Sequence, residues 1–241
     1  APELPLSTIA RLCEKAPWMT DDGLAQWLTT TLGEKPRNLA LFRQALTHPS
    51  HGEGHYQRLE FLGDRVLGLV IAQWLYQRHR EEAEGKLAQR LNSLVSREVC
   101  ADVGRGMDVM PWLRLGRQAL DDGVFESDNV LGDVVEALIG ALYLEFGLTS
   151  AERFIKRHWA DRIGGQIKPP KHPKAELQEL AAARNRKPPV YTIVDRSGPD
   201  HRPHFIVRVS VNGLGEADGS GPSRQDAETA AAKALLEKQT S

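Results

Sequence analysis

At 241 residues, with 41% hydrophobic and 26% charged residues, the chain has the length and composition of a soluble globular protein with one medium domain and one small one. Its two cysteines, Cys13 and Cys100, lie far apart and form no CxxC pair, which argues against a disulfide framework or a thiolate zinc site and suits a reducing cytoplasm. The net charge of −1 hides a small asymmetry, 11 Lys and Arg against 9 Asp and Glu in residues 171–241 and 20 against 23 before them, too small to decide for or against a nucleic-acid partner.

The opening APELPLSTIA has neither a basic leader nor a continuous apolar core. No run approaches the roughly 18 apolar residues of a membrane span, so the expectation is a cytoplasmic protein without a membrane partner. Residues 1–20 read as an N-terminal arm. From Gly23 to Arg162 apolar residues recur at helical spacing, which predicts an all-α domain over residues 21–165. Its helices are expected near 23–32, 38–46, 57–79, 85–104, 109–115, 128–146 and 149–163. Residues 166–172, with Pro169 and Pro170 among basic residues, read as a linker.

Beyond the linker, residues 173–241 read as a small α+β domain. A helix is expected over 174–185, then strands over Val190–Ser197, His204–Val211 and Leu214–Gly219, where β-branched residues alternate. Asn212-Gly213 between the last two strands predicts a tight primed turn, which needs positive φ at both positions. Ser223 is placed to cap an Ala-rich helix that runs to about Lys238 and packs on the sheet. The order is α-β-β-β-α.

Two apolar helices carry acids. Glu60 and Asp64 stand at i,i+4 in the first, and Asp133 and Glu136 at i,i+3 in the second, so each pair shares a face. Ionised carboxylates among Leu, Val and Ile cost several kcal/mol unless paired or bound to metal, and the second helix has no Lys or Arg one turn away. If the two faces meet, four carboxylates converge. Such hard oxygen ligands suit Mg²⁺, with Mn²⁺ as a substitute, rather than zinc. Gly63, Gly68 and Gly140 point to close helix contact, since glycine inside a helix costs about 1 kcal/mol against alanine. The same spacing is also that of solvent-facing acids on amphipathic helices.

The segment RLEFLGDRVLG (58–68) resembles the signature of the ribonuclease III family, and GDVVEALIGALYL (132–144) is similar to its second acidic motif. LTHPSH (46–51) and EGKLAQRLNSLVS (84–96) fall where the family has related segments. The resemblance implies a homodimeric, magnesium-dependent endonuclease that cuts double-stranded RNA, leaving 5′-phosphate and 3′-hydroxyl ends with short 3′ overhangs. Processing of ribosomal and other structured precursor RNAs is part of that implication. It carries the catalytic and metal-binding roles to Glu60, Asp64, Asp133 and Glu136. It also assigns Phe61 to the dimer interface and Glu84 to the RNA-binding valley. Gln57 departs from the family, which often has glutamate there; it can contact RNA but not ligate as an anion.

The C-terminal segment resembles a double-stranded RNA-binding domain through HPKAELQELA (172–181), SGPDHRPHF (197–205) and SRQDAETAAAKALL (223–236). The resemblance places Gln178, Glu179 and His201 in minor grooves and Lys174 and Arg224 at phosphates. Ala175 departs from the usual hydroxyl residue, and Gln225 and Asp226 replace part of the usual basic run. Fewer cations imply weaker binding and a shallower salt dependence. His48, His51 and His55 follow no structural-zinc pattern. The scattered Trp18, Trp27, Trp74, Trp112 and Trp159 read as packing residues. The rival readings are a non-catalytic duplex-RNA binder that keeps the fold as a scaffold, and a metal-dependent phosphatase.

Overall fold

The computed structural model describes residues 20–166, 172–198 and 203–240. His201, Cys13, Trp18 and most of the expected linker lie outside them. The chain forms two compact units, divided between residues 169 and 170.

The first unit is helical: α1 Asp21–Leu32, α2 Leu39–Ala45, α3 Gln57–Arg78, α4 Glu84–Leu94, α5 Arg97–Gly106, α6 Arg117–Asp121, α7 Asp128–Phe146 and α8 Leu148–Gly165. Local chemistry sets several ends. Thr20 accepts from the Gly23 amide at α1, two aspartates follow it in the first turn, and Gly33 closes the helix at φ 78°. The single helix expected over 85–104 is two, because the Ser96 hydroxyl accepts from the Val99 amide and starts a new helix at Arg97. The helix expected over 109–115 is only the 3₁₀ turn Met110–Trp112, with Pro111 inside it. Arg114 beyond it forms an isolated bridge with Thr47. The short α6 had no sequence signal.

The core sits around α7, from which Val130, Leu131, Val134, Val135, Leu138, Ile139 and Leu142 are all buried. Helix α3 packs along it with Leu59, Val66, Leu67, Val70 and Ile71. Trp159 is fully buried and donates to the Leu94 carbonyl at 2.8 Å. Buried Arg90 is satisfied by both Glu82 oxygens, at 2.8 and 2.7 Å, and by the Gln166 carbonyl at 2.6 Å. Gln166, expected in the linker, also donates to Ser93 Oγ.

The second unit comprises α9 Pro173–Ala183, β1 Val190–Ser197, β2 His204–Val211, β3 Gly215–Gly221 and α10 Arg224–Thr240. The strands form an antiparallel sheet in the order β1-β2-β3. Ser223 caps α10 by accepting from the Asp226 amide at 3.1 Å. Ala227, Ala231 and Ala232 are fully buried; their small side chains let α10 come so near that a methyl at Gly219 would lie 2.0 Å from the Ala231 nitrogen. The β2–β3 turn differs from the sequence expectation. Val211 pairs with Gly215 across Asn212, Gly213 and Leu214, and the Leu214 amide donates to the Val211 carbonyl. Gly213 has φ 78° while Asn212 keeps negative φ, the pattern of a type II turn, in which only the third position needs glycine.

Candidate active site

Helices α3 and α7 touch backbone to backbone. A methyl at Gly63 would lie 1.7 Å from the Glu136 carbonyl oxygen, and one at Gly140 would lie 2.3 Å from that of Leu59. Gly68 meets nothing within 4 Å, so its absence of a side chain has no role in this contact. The approach brings Glu60, Asp133 and Glu136 together, one carboxylate oxygen of each lying within 4.8 Å of the others. Among the described residues this is the one group of acids, histidines or cysteines spaced to hold a metal ion.

Asp64 is not within that trio. Its carboxylate is bonded by the adjacent Arg65, yet it stands near enough to raise the pKa of Glu136.

Among the described residues no ion pair neutralises the three carboxylates. Burial, then the charges of Asp64, Asp133 and Glu60, push Glu136 up to about 8. Burial, then Asp133 and Asp64, push Glu60 up to about 6. Burial also raises Asp133, opposed by a hydrogen bond from Tyr56 and by the charges of Arg97 and His48. Arg97, from the first turn of α5, supplies the cation that α7 itself lacks, but among the described residues it forms no ion pair with the trio. A divalent cation is the group that such an electron-rich, half-buried set of hard oxygens fits.

Tyr56 precedes the RLEFLGDRVLG segment and belongs to none of the sequence motifs. It is buried, and its hydroxyl donates to Asp133 Oδ2 at 3.1 Å. His48 packs edge-on to the Tyr56 ring, with centroids 5.8 Å apart, and holds Ser50 Oγ at 2.7 Å through Nδ1. A hydroxyl aimed across 77 residues leaves no spacing pattern.

The other expected site residues are arranged as follows. Gln57 is exposed at the start of α3. Glu84 is exposed at the start of α4, outside the trio. Phe61 on α3 is 67% exposed, and Leu69 and Tyr76 on the same helix are exposed too. In the second unit Gln178 and Glu179 face outward beside buried Leu177. Lys174 and Arg224 both bond Glu228. His201 lies outside the described residues.

The chain thus joins an all-α domain, whose carboxylate cluster is spaced to hold a metal ion, to a separate α-β-β-β-α unit. The Ribonuclease-III-like family pattern matches residues 38–163, and the double-stranded RNA binding motif matches residues 173–239. Ribonuclease 3 of Zymomonas mobilis is 57% identical over 92% of this chain and 91% of its own length. That of Caulobacter vibrioides is 45% identical over 88% and 94%. Among solved structures, the nuclease domain of Campylobacter jejuni ribonuclease III matches with TM-score 0.55 and 30% identity, over 59% of this chain and 97% of that one. The chain belongs to the ribonuclease III family, the double-strand-specific endoribonucleases.

Proposed function

We propose that Glu60, Asp133 and Glu136, with Asp64 beside them, form the metal-binding and catalytic centre, that the ion is Mg²⁺ with Mn²⁺ able to replace it, and that the chain acts as a homodimer. The observation that carries this reading is the convergence of three half-buried carboxylates that no ion pair among the described residues neutralises, with only the more distant charge of Arg97 opposing them. A bound divalent ion supplies Lewis-acid stabilisation of the leaving oxygen and a lower pKa for the attacking water. Glu60 and Glu136 serve as direct ligands. Asp133, oriented by Tyr56, and Asp64, oriented by Arg65, bind the ion or align the water. The water oxygen bonds to phosphorus and the bond to the 3′ oxygen breaks, giving 5′-phosphate and 3′-hydroxyl ends.

One centre cuts one strand, so a double-strand cut with short 3′ overhangs needs two centres related by a two-fold axis. Phe61, exposed one residue beyond Glu60, places an aromatic anchor where a partner subunit can cover it. Gln57 and Glu84 border the cleavage valley. In the second unit Lys174, Gln178, Glu179, His201 and Arg224 contact duplex RNA. The working division is an arm over 1–20, the nuclease domain over 21–165, a linker over 166–172 and the RNA-binding domain over 173–241. The proposed substrates are ribosomal and other structured precursor RNAs, and the proposed compartment is the cytoplasm.

A perfectly paired RNA incubated with the protein in Mg²⁺ and then in EDTA tests the reading. Cutting in Mg²⁺ alone, lost in E136Q while RNA binding persists, is the expected result. Normal cutting by E136Q contradicts the site.

A further inference from the structure

Lys174 and Arg224 are the two cations expected at phosphates, and they belong to different helices. Both reach the same carboxylate. Glu228, one turn into α10, is buried; its Oε1 accepts from Arg224 Nε at 2.8 Å and its Oε2 from Lys174 Nζ at 2.5 Å. The Lys174 ammonium also lies 5.0 Å from the centroid of the Tyr191 ring on β1, so a carboxylate and an aromatic face hold it from two sides. These bonds bring Glu228 below the ordinary carboxylate range, Lys174 first and then Arg224, despite its burial.

We infer that Glu228 is a positioning residue for RNA binding: it clamps Lys174 and Arg224 into one preformed cationic fork for a backbone phosphate, joining α9 to the start of α10. The inference rests on the proposal that these two side chains meet RNA. The geometry leaves the necessary donors. Arg224 spends Nε on Glu228, which leaves the Nη1 and Nη2 donors of an exposed guanidinium for a phosphate, and Lys174 keeps further N–H bonds on a partly exposed ammonium. Two long side chains ordinarily lose rotamer freedom when they grip a phosphate; a fork already fixed by a buried anion has lost it on folding. With Gln225 and Asp226 where further cations are expected, fixing the remaining two compensates for their number.

Coulombic attraction and positioning give opposite signs for E228Q. Removing the anion raises the net charge by one, so attraction alone predicts tighter binding and a steeper salt dependence. Loss of the clamp predicts weaker binding, roughly three- to tenfold, and a plot of log K against log[salt] shallower by about one unit. The measurement is the affinity of the full chain for a perfectly paired RNA in EDTA across a salt series, with circular dichroism melts of each variant. A fold defect lowers the active fraction but leaves the slope of the folded protein unchanged. Should E228Q fail to fold, R224K carries the test, because it keeps the charge at an exposed position but lacks the fork; weaker binding and a shallower slope are again expected. E228Q binding as tightly as the wild type, or R224K matching it, overturns the clamp. K174Q and R224Q test the underlying reading. If neither changes the slope, those residues do not meet phosphate and the RNA-contact assignment fails, the clamp with it; if they do change it while E228Q binds as the wild type, the clamp alone fails.

Discussion

Glu136 has the most unfavourable charge environment in the cluster, because it faces three other carboxylates as well as burial. An acid whose pKa is higher folded than unfolded binds more protons in the folded state between the two values, so stability falls as pH rises through that window. For Glu136 the window runs from its ordinary 4.5 to about 8. In EDTA, the melting temperature of E136Q should therefore gain on that of the wild type as the pH is raised from about 5 to about 8, and millimolar Mg²⁺ should close the gap. Differential scanning fluorimetry across that pH range checks it; a constant gap would show that Glu136 is not under charge strain. Tyr56→Phe removes the hydroxyl that orients Asp133. The expected outcome is a fall in kcat of roughly tenfold with RNA affinity unchanged, read from single-turnover cleavage and filter binding.

At the scale of elements, the α3–α7 crossing positions the site, and glycine permits it. Gly63→Ala forces a methyl into the Glu136 carbonyl oxygen. The helices must part, at a cost of about 1–3 kcal/mol for overpacking, and the carboxylates separate with them. Urea denaturation should show the loss, and Mn²⁺ affinity should fall in parallel. Gly68→Ala, where nothing lies within 4 Å, should stabilise α3 slightly instead. Equal effects of the two substitutions would mean that backbone approach does not set the site.

The same elements show what could be read from sequence. The apolar periodicity of α3 and α7 and the acid spacings i,i+4 and i,i+3 were legible because helix geometry is local. So was the α-β-β-β-α succession of the second unit, with α10 packing on the sheet through its alanines. The break at Ser96 was not, since a single serine cap competes with continuous helical periodicity. The turn at Asn212-Gly213 was foreseen in place but not in type, because the extra residue Leu214 relaxed the demand on Asn212. Asp64 shares a face with Glu60 as the spacing requires, yet the trio closes without it, and its carboxylate is bonded by Arg65 instead. Tyr56 and Arg97 act on partners distant in sequence, where spacing says nothing; Glu228 meets Arg224 at the readable i,i+4 spacing, but its bond to Lys174 comes from another helix.

At the scale of the molecule, the chain pairs a helical nuclease domain with a small RNA-binding fold, and among the described residues no helix is long and apolar enough to cross a membrane. On the proposed reading, cutting both strands takes two copies. Phe61→Ala should shift the protein towards monomer in sedimentation velocity and leave nicked rather than fully cut duplex among the products. A variant that stays dimeric would place the subunit contact elsewhere.

The proposed metal centre underlies the catalytic reading, and Mn²⁺ makes it visible. Crystals grown with Mn²⁺ and measured above the manganese absorption edge should show an anomalous peak among Glu60, Asp133 and Glu136, at roughly 2.0–2.2 Å from their oxygens. A saturated crystal with its manganese elsewhere, and these three side chains still unneutralised, would contradict the account.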